Sequence, residues 1–154
     1  MSNLYSEKLI SVNMDVVSKD SAIEQLICML EKEGRINSSA EFRDSVYERE
    51  LESSTEVGEY TAIPHGRSET VNDNSVCIAT LKKPVIWNFE TNEEIDIIFM
   101  LAVKKDSSDT HIEILSELAS KIMEENFISN IKKADNENEI YHIITKKEEK
   151  KKKK

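Results

Sequence analysis

Residues 95–103, Ile-Asp-Ile-Ile-Phe-Met-Leu-Ala-Val, form a nearly unbroken apolar run of strand length, and residues 76–81, Val-Cys-Ile-Ala-Thr-Leu, form a second. A strand with one wet face alternates apolar and polar side chains, so a strand that is apolar at successive positions has to be covered on both faces. These runs predict a mostly buried sheet. Residues 84–87, Pro-Val-Ile-Trp, read as an edge or connecting strand, since proline cannot donate to a ladder. Another short strand is expected to end at Pro64, whose ring pushes Ile63 toward extended geometry.

The covering layers are written as helical periodicity. Ala22, Ile23, Leu26, Ile27 and Leu30 recur at helical spacing over residues 20–33, behind the capping pattern Ser21-x-x-Glu24 and ahead of Gly34. A second capping pattern, Ser38-x-x-Glu41, opens a helix to about residue 50, with Phe42, Val46 and Tyr47 inward and Arg49 in its last turn. A third helix is expected from Asp109 or Thr110 to about residue 124, with Ile112, Leu115, Leu118, Ala119 and Ile122 on its apolar face. Short helices at 127–131 and 136–145 complete the pattern, the latter with Ile140, Ile143 and Ile144 inside. Helices and strands alternate within 154 residues, which predicts one α/β sandwich domain over residues 1–145. Residues 146–154 hold seven Lys and two Glu, can bury nothing, and are expected to form a disordered tail.

Charge narrows the partners. The net charge of -9 conceals a stronger asymmetry, because without the lysine tail residues 1–145 carry 14 basic against 28 acidic side chains. Such a surface repels a phosphate backbone, so nucleic acid is not an expected partner. No apolar run reaches the roughly 18 to 20 residues of a membrane span, and residues 1–10 lack the basic start and apolar core of a signal peptide. A cytoplasmic protein without direct membrane insertion is expected. Cys28 and Cys77 lie far apart within apolar segments and read as reduced core residues.

Three histidines offer chemistry. His65 stands between Pro64 and Gly66 at a strand end, where proline fixes the entry and glycine permits close approach of another molecule, so its side chain is expected to be presented. His111 falls in the first turn of a helix, whose amides and dipole favour a neutral imidazole and a bound anion. His142 lies inside the last helix without a charge partner and reads as a bystander. Three glycines cannot make a phosphate-cradling loop, and there is no Gly-x-Ser-x-Gly elbow. A metal site at His65 and His111 lacks the His-x-x-x-His or Cys-x-x-Cys spacing that would support it.

The residues Thr61-Ala62-Ile63-Pro64-His65-Gly66, preceded by Arg49-Glu50-Leu51 and Thr55 and followed by His111-Ile112-x-x-Leu115-x-x-Leu118-Ala119, resemble the enzyme IIA component of the bacterial phosphoenolpyruvate-dependent sugar phosphotransferase system, fructose/mannitol type. The resemblance runs over about residues 4–145. It implies a mixed sheet flanked by helices on both sides and a phosphoryl relay that uses no cofactor or metal. By the same resemblance His65 matches the phosphorylated histidine, and His111 and Arg49 match the histidine and arginine around it. The implied donor is the phosphohistidine of HPr, and the acceptor is a cysteine on a IIB component linked to a membrane IIC transporter. This chain departs from the family at Glu59-Tyr60-Thr61, where Gly-Ile or Gly-Val is usual, and at Ile112, where Leu commonly stands. Two other roles are weighed beside the relay: a regulatory member of the family that signals to protein partners, and an interaction module with the fold but without phosphoryl transfer.

Overall fold

A computed structural model describes residues 4–106 and 108–145; the lysine-rich segment 146–154 lies outside the described residues. Six strands, β1 (Ile10–Met14), β2 (Glu56–Gly58), β3 (Thr61–Ala62), β4 (His65–Ser68), β5 (Ser75–Asn88) and β6 (Glu93–Lys104), form one mixed sheet in the order β1-β5-β6-β3-β2, with β4 also paired to β6. Helices α1 (Lys19–Lys32) and α2 (Ser39–Glu52) cover one face, and α3 (Ser108–Met123), α4 (Phe127–Lys133) and α5 (Glu137–Thr145) cover the other.

The two apolar runs are strands buried on both faces. Cys77 and Ala79 of β5 and Ile98, Met100 and Ala102 of β6 point into the α1/α2 layer with Leu26, Leu30, Phe42 and Val46. Their neighbours Val76, Ile78, Ile97, Phe99 and Leu101 point into the α3–α5 layer with Leu118, Ile122, Ile131, Ile140 and Ile144. Period-two alternation thus feeds two cores from one strand pair.

Several expectations are corrected. The segment 84–87 is no separate strand: β5 runs on through it, and the ladder with β6 shifts register between Thr80 and Val85, an irregularity that accommodates Pro84. Helix α1 starts one residue earlier than the periodicity suggests. Its cap is Ser18, whose hydroxyl accepts from the Ser21 N–H while the Ser21 hydroxyl accepts from the Ser18 N–H, both at 3.1 Å, so Ser21 is the third residue of the helix and closes the box instead of being the cap. Cys28 is exposed, whereas Cys77 is buried. Cys28 lies two residues from both Leu26 and Leu30, about 200° around the helix from the core stripe. The stripe of α3 is also rotated: Ile114, Leu118 and Ile122 are buried, while Ala119 and Ile112 are exposed, Ile112 by 63%.

The cysteines give a direct check on this placement. Cys28 should react with a thiol reagent in the folded protein, and Cys77, whose thiol burial pushes up, should react only on unfolding. In urea titrations Leu26→Ala should cost about 2–5 kcal/mol and Cys28→Ser less than about 0.5 kcal/mol.

Candidate functional site

One edge of β6 pairs with β5; the other is shared by two short strands laid end to end. Ala62 of β3 faces Ile98 and His65 of β4 faces Leu101, both in parallel register. Between them, Ile63 and Pro64 step out of the ladder without losing hydrogen bonds. The Ile63 N–H donates to the Thr55 carbonyl at 3.0 Å, Pro64 has no N–H to satisfy, and its carbonyl accepts from the Leu101 N–H at 3.0 Å. The outer side of β4 is closed by α2. A methyl group on Gly66 would collide with the Ser45 hydroxyl and come within 3.0 Å of a Phe42 ring carbon, so this glycine serves the contact between helix and strand and not the approach of a ligand.

His65 is therefore enclosed, only 7% exposed, and not the freely presented side chain that its Pro-Gly setting suggests. Its Nδ1–H donates to the Ile63 carbonyl at 2.9 Å. A carbonyl oxygen can only accept, so the proton of the neutral ring is on Nδ1 and the lone pair is on Nε2. The His111 ring, in the first turn of α3, lies 4.9 Å away between centroids and is tilted by 50°. Its Nε2 is buried with no hydrogen-bond partner among the described residues. Burial without a partner is costly for such an atom.

Arg49, in the last turn of α2, donates from Nη1 to the carbonyl of Ser53, the C-cap residue, at 2.8 Å. The guanidinium has four further N–H groups. Burial holds the His65 imidazole below its ordinary proton affinity; the bond to the Ile63 carbonyl and the carboxylates of Glu50 and Glu52 oppose this, and Arg49 adds to it. His111 is lowered first by burial and then by His65, Arg67 and Arg49. Both rings are neutral near pH 7.

The structure thus brings together the three residues singled out in the sequence, and it adds Arg67. Two positions along β4 from His65, Arg67 shares its strand face and is exposed. The i, i+2 spacing was its only sequence signal, and that signal requires knowing that a strand begins at His65. Glu59 is exposed on the turn before β3. His142 is exposed on α5, edge-on to Tyr141. Among the described residues no group of three or more His, Cys, Asp or Glu side chains could hold a metal ion, and no helix is long and apolar enough to cross a membrane.

Residues 3–147 match the family model of the phosphoenolpyruvate-dependent sugar phosphotransferase system, EIIA 2. The chain belongs to this family. Family members are phosphotransferases, and the mixed sheet between two helical layers is the fold of their solved structures. The chain is 27% identical over 144 residues to the fructose-specific EIIABC component of Bacillus subtilis (strain 168), which aligns with 94% of this chain. It spans 23% of that relative's length. The nitrogen regulatory protein IIA-Ntr of Neisseria meningitidis superposes with a TM-score of 0.84 at 27% identity, covering 92% of this chain and 96% of that one. Enzyme IIA-mannitol of Escherichia coli, in its complex with phosphorylated enzyme IIB-mannitol, shares the fold with a TM-score of 0.79 at 19% identity, covering 92% and 97%.

The depressed proton affinities are open to measurement. By NMR titration His65 and His111 should both become protonated below their ordinary value of 6.5. Because the unfolded chain then binds more protons than the folded one below about pH 6.5, the stabilising contribution of the two neutral rings is full above that pH and declines as the pH falls.

Proposed function

We propose that this EIIA domain carries a phosphoryl group on Nε2 of His65, accepted from phosphorylated HPr and passed to the cysteine of a IIB component, which in turn phosphorylates a sugar entering through a membrane IIC partner. The observation that carries this reading is the hydrogen bond from His65 Nδ1–H to the Ile63 carbonyl, which leaves Nε2 as the nucleophile. In the acceptance step the Nε2 lone pair forms the new P–N bond while the donor's P–N bond breaks and its electron pair returns to the donor ring. No proton has to leave Nδ1, and the Ile63 carbonyl disperses the positive charge that the ring acquires. In the onward step the P–N bond breaks toward Nε2 as the thiolate of the partner forms a P–S bond.

His111 and Arg49 support this chemistry without forming a bond to phosphorus. The unpaired, buried Nε2 of His111 gains a partner when its N–H meets a phosphoryl oxygen, and the open N–H groups of Arg49 fit the equatorial oxygens. Two neutral imidazoles and two arginines make a local anion-accepting site on an otherwise acidic protein. The proposed setting is the cytoplasm, where a soluble donor and the cytosolic side of a transporter would meet it.

A regulatory role is the second reading. It is favoured by the likeness to IIA-Ntr, which superposes with a TM-score of 0.84 at 27% identity against 0.79 at 19% for IIA-mannitol. Transfer to a IIB cysteine separates the two; a pure interaction module would accept no phosphate at all.

With phosphoenolpyruvate, enzyme I and HPr, the protein should take up one acid-labile phosphate, and His65→Ala should take up none. His111→Ala and Arg49→Ala should each be phosphorylated roughly 100- to 1,000-fold more slowly and still on His65. Arg49→Lys should be an incomplete substitute, because an ammonium cannot reproduce the guanidinium fork. Full incorporation in His65→Ala would overturn the assignment.

A further inference from the structure

A buried polar chain starts behind His65 and ends on a different layer of the molecule. Ile63, whose carbonyl holds His65 Nδ1–H, is itself held at its N–H by the Thr55 carbonyl at 3.0 Å. The Thr55 side chain is buried, donates its hydroxyl to a Glu50 carboxylate oxygen and accepts from the Trp87 indole N–H at 3.1 Å. The other Glu50 oxygen takes the Lys19 ammonium at 2.9 Å. Lys19 also donates to the Trp87 carbonyl at 3.3 Å and lies 4.9 Å over the Trp87 ring, which is fully buried. Helix α1, the end of α2, the loop before β2 and the long strand β5 are thus tied to the backbone of one residue, Ile63.

Stability alone gives this arrangement little reason to exist. The Lys19 and Glu50 side chains are only 13% and 5% exposed, and a buried ion pair contributes little over apolar residues of the same volume, because desolvation offsets the attraction. What polar groups provide that apolar ones cannot is direction. The Thr55 hydroxyl both donates and accepts, and each Glu50 oxygen holds a different partner, so the network orients its members relative to one another. That arrangement fixes two things at once: the Ile63 carbonyl, which decides the tautomer of His65, and the last turn of α2, where Arg49 is the neighbour of Glu50.

We infer that Thr55 and Glu50, anchored by Lys19 and Trp87, are positioning residues that keep His65 in its Nδ1–H form with Nε2 free to react. They touch neither phosphorus nor the partner; they act through the Ile63 backbone and the Arg49 turn. The inference rests on the reading of His65 as the phosphoryl carrier, but its tautomer part does not. Where the carbonyl drifts, the ring turns or shifts its proton to Nε2, and a protonated Nε2 is no nucleophile.

Thr55→Val removes the hydroxyl and keeps the carbonyl, Thr55→Ser restores the hydroxyl, and Glu50→Gln keeps the shape while removing the charge. Two readouts apply to each: the side-chain 15N spectrum of His65 near pH 8, and single-turnover transfer from phosphorylated HPr. Wild type should show a single Nδ1–H tautomer. Thr55→Val and Glu50→Gln should show a mixture and accept phosphate up to about 100-fold more slowly, still on His65, with Thr55→Ser close to wild type. Wild-type spectra and rates in both Thr55→Val and Glu50→Gln would overturn the inference, and if Thr55→Val does not fold, Glu50→Gln decides alone. Wild-type protein that accepts no phosphate on His65 would instead sink the functional reading, while the 15N spectra would still decide the tautomer.

Discussion

Strand β6 is the constraint from which the rest of the molecule follows. Its side chains are buried on both faces, one edge is taken by β5 along most of its length, and the other edge has to be satisfied by something else. That something is β3 and β4, interrupted by a proline that needs no ladder bond. The interruption turns the Ile63 carbonyl out of the sheet pattern and toward the side chain two residues on. A histidine at the resumption of the strand is thus buried, hydrogen-bonded at Nδ1 and set against the first turn of α3, which follows β6 directly. The site is a defect in a parallel strand pairing, placed where the neighbouring helix can use it.

Electrostatics then work locally against the global charge. Residues 1–145 carry twice as many acidic as basic side chains, yet around the two imidazoles the arginines 49 and 67 disfavour added protons, and burial acts in the same direction. Glu50 and Glu52 moderate this for His65 only. Of the two carboxylates, Glu50 is already committed to Lys19 and Thr55, so it shapes the site without competing for Arg49. A ring that is neutral, desolvated and directionally held is a better nucleophile than a solvated one of the same type, because nothing has to be stripped from it at the moment of reaction.

The layered fold was legible in the sequence because β5 and β6 are apolar at successive positions and the helices before and after them are periodic. The grouping of His65 with His111 and Arg49 was legible through the family resemblance that Ala-Ile-Pro-His-Gly, the upstream Arg49-Glu50 and the downstream His111 carry. What was hidden has physical causes. Strand β4 reads His-Gly-Arg-Ser and carries no apolar signature, since its burial is supplied by α2 packing against Gly66. Without that strand, Arg67 could not be placed beside His65. Strand β1, Ile-Ser-Val-Asn-Met, is short and half polar because it lies at the sheet margin. In α3, Ile112 and Ile114 are equally apolar and only two residues apart, so periodicity could not choose between faces; the sheet chose Ile114. Cys28 shows the same limit in α1, where an apolar type sits on the wet side of a correct helix.

The central claim is that His65 reacts at Nε2 because Nδ1 is committed to the Ile63 carbonyl. Long-range 1H–15N spectra of the uniformly 15N-labelled, phosphorylated protein, read for phosphorus–nitrogen coupling, test it directly. The account predicts coupling at Nε2 of His65 alone, with Nδ1 still carrying its proton; phosphorus on Nδ1, or on His111, would contradict it.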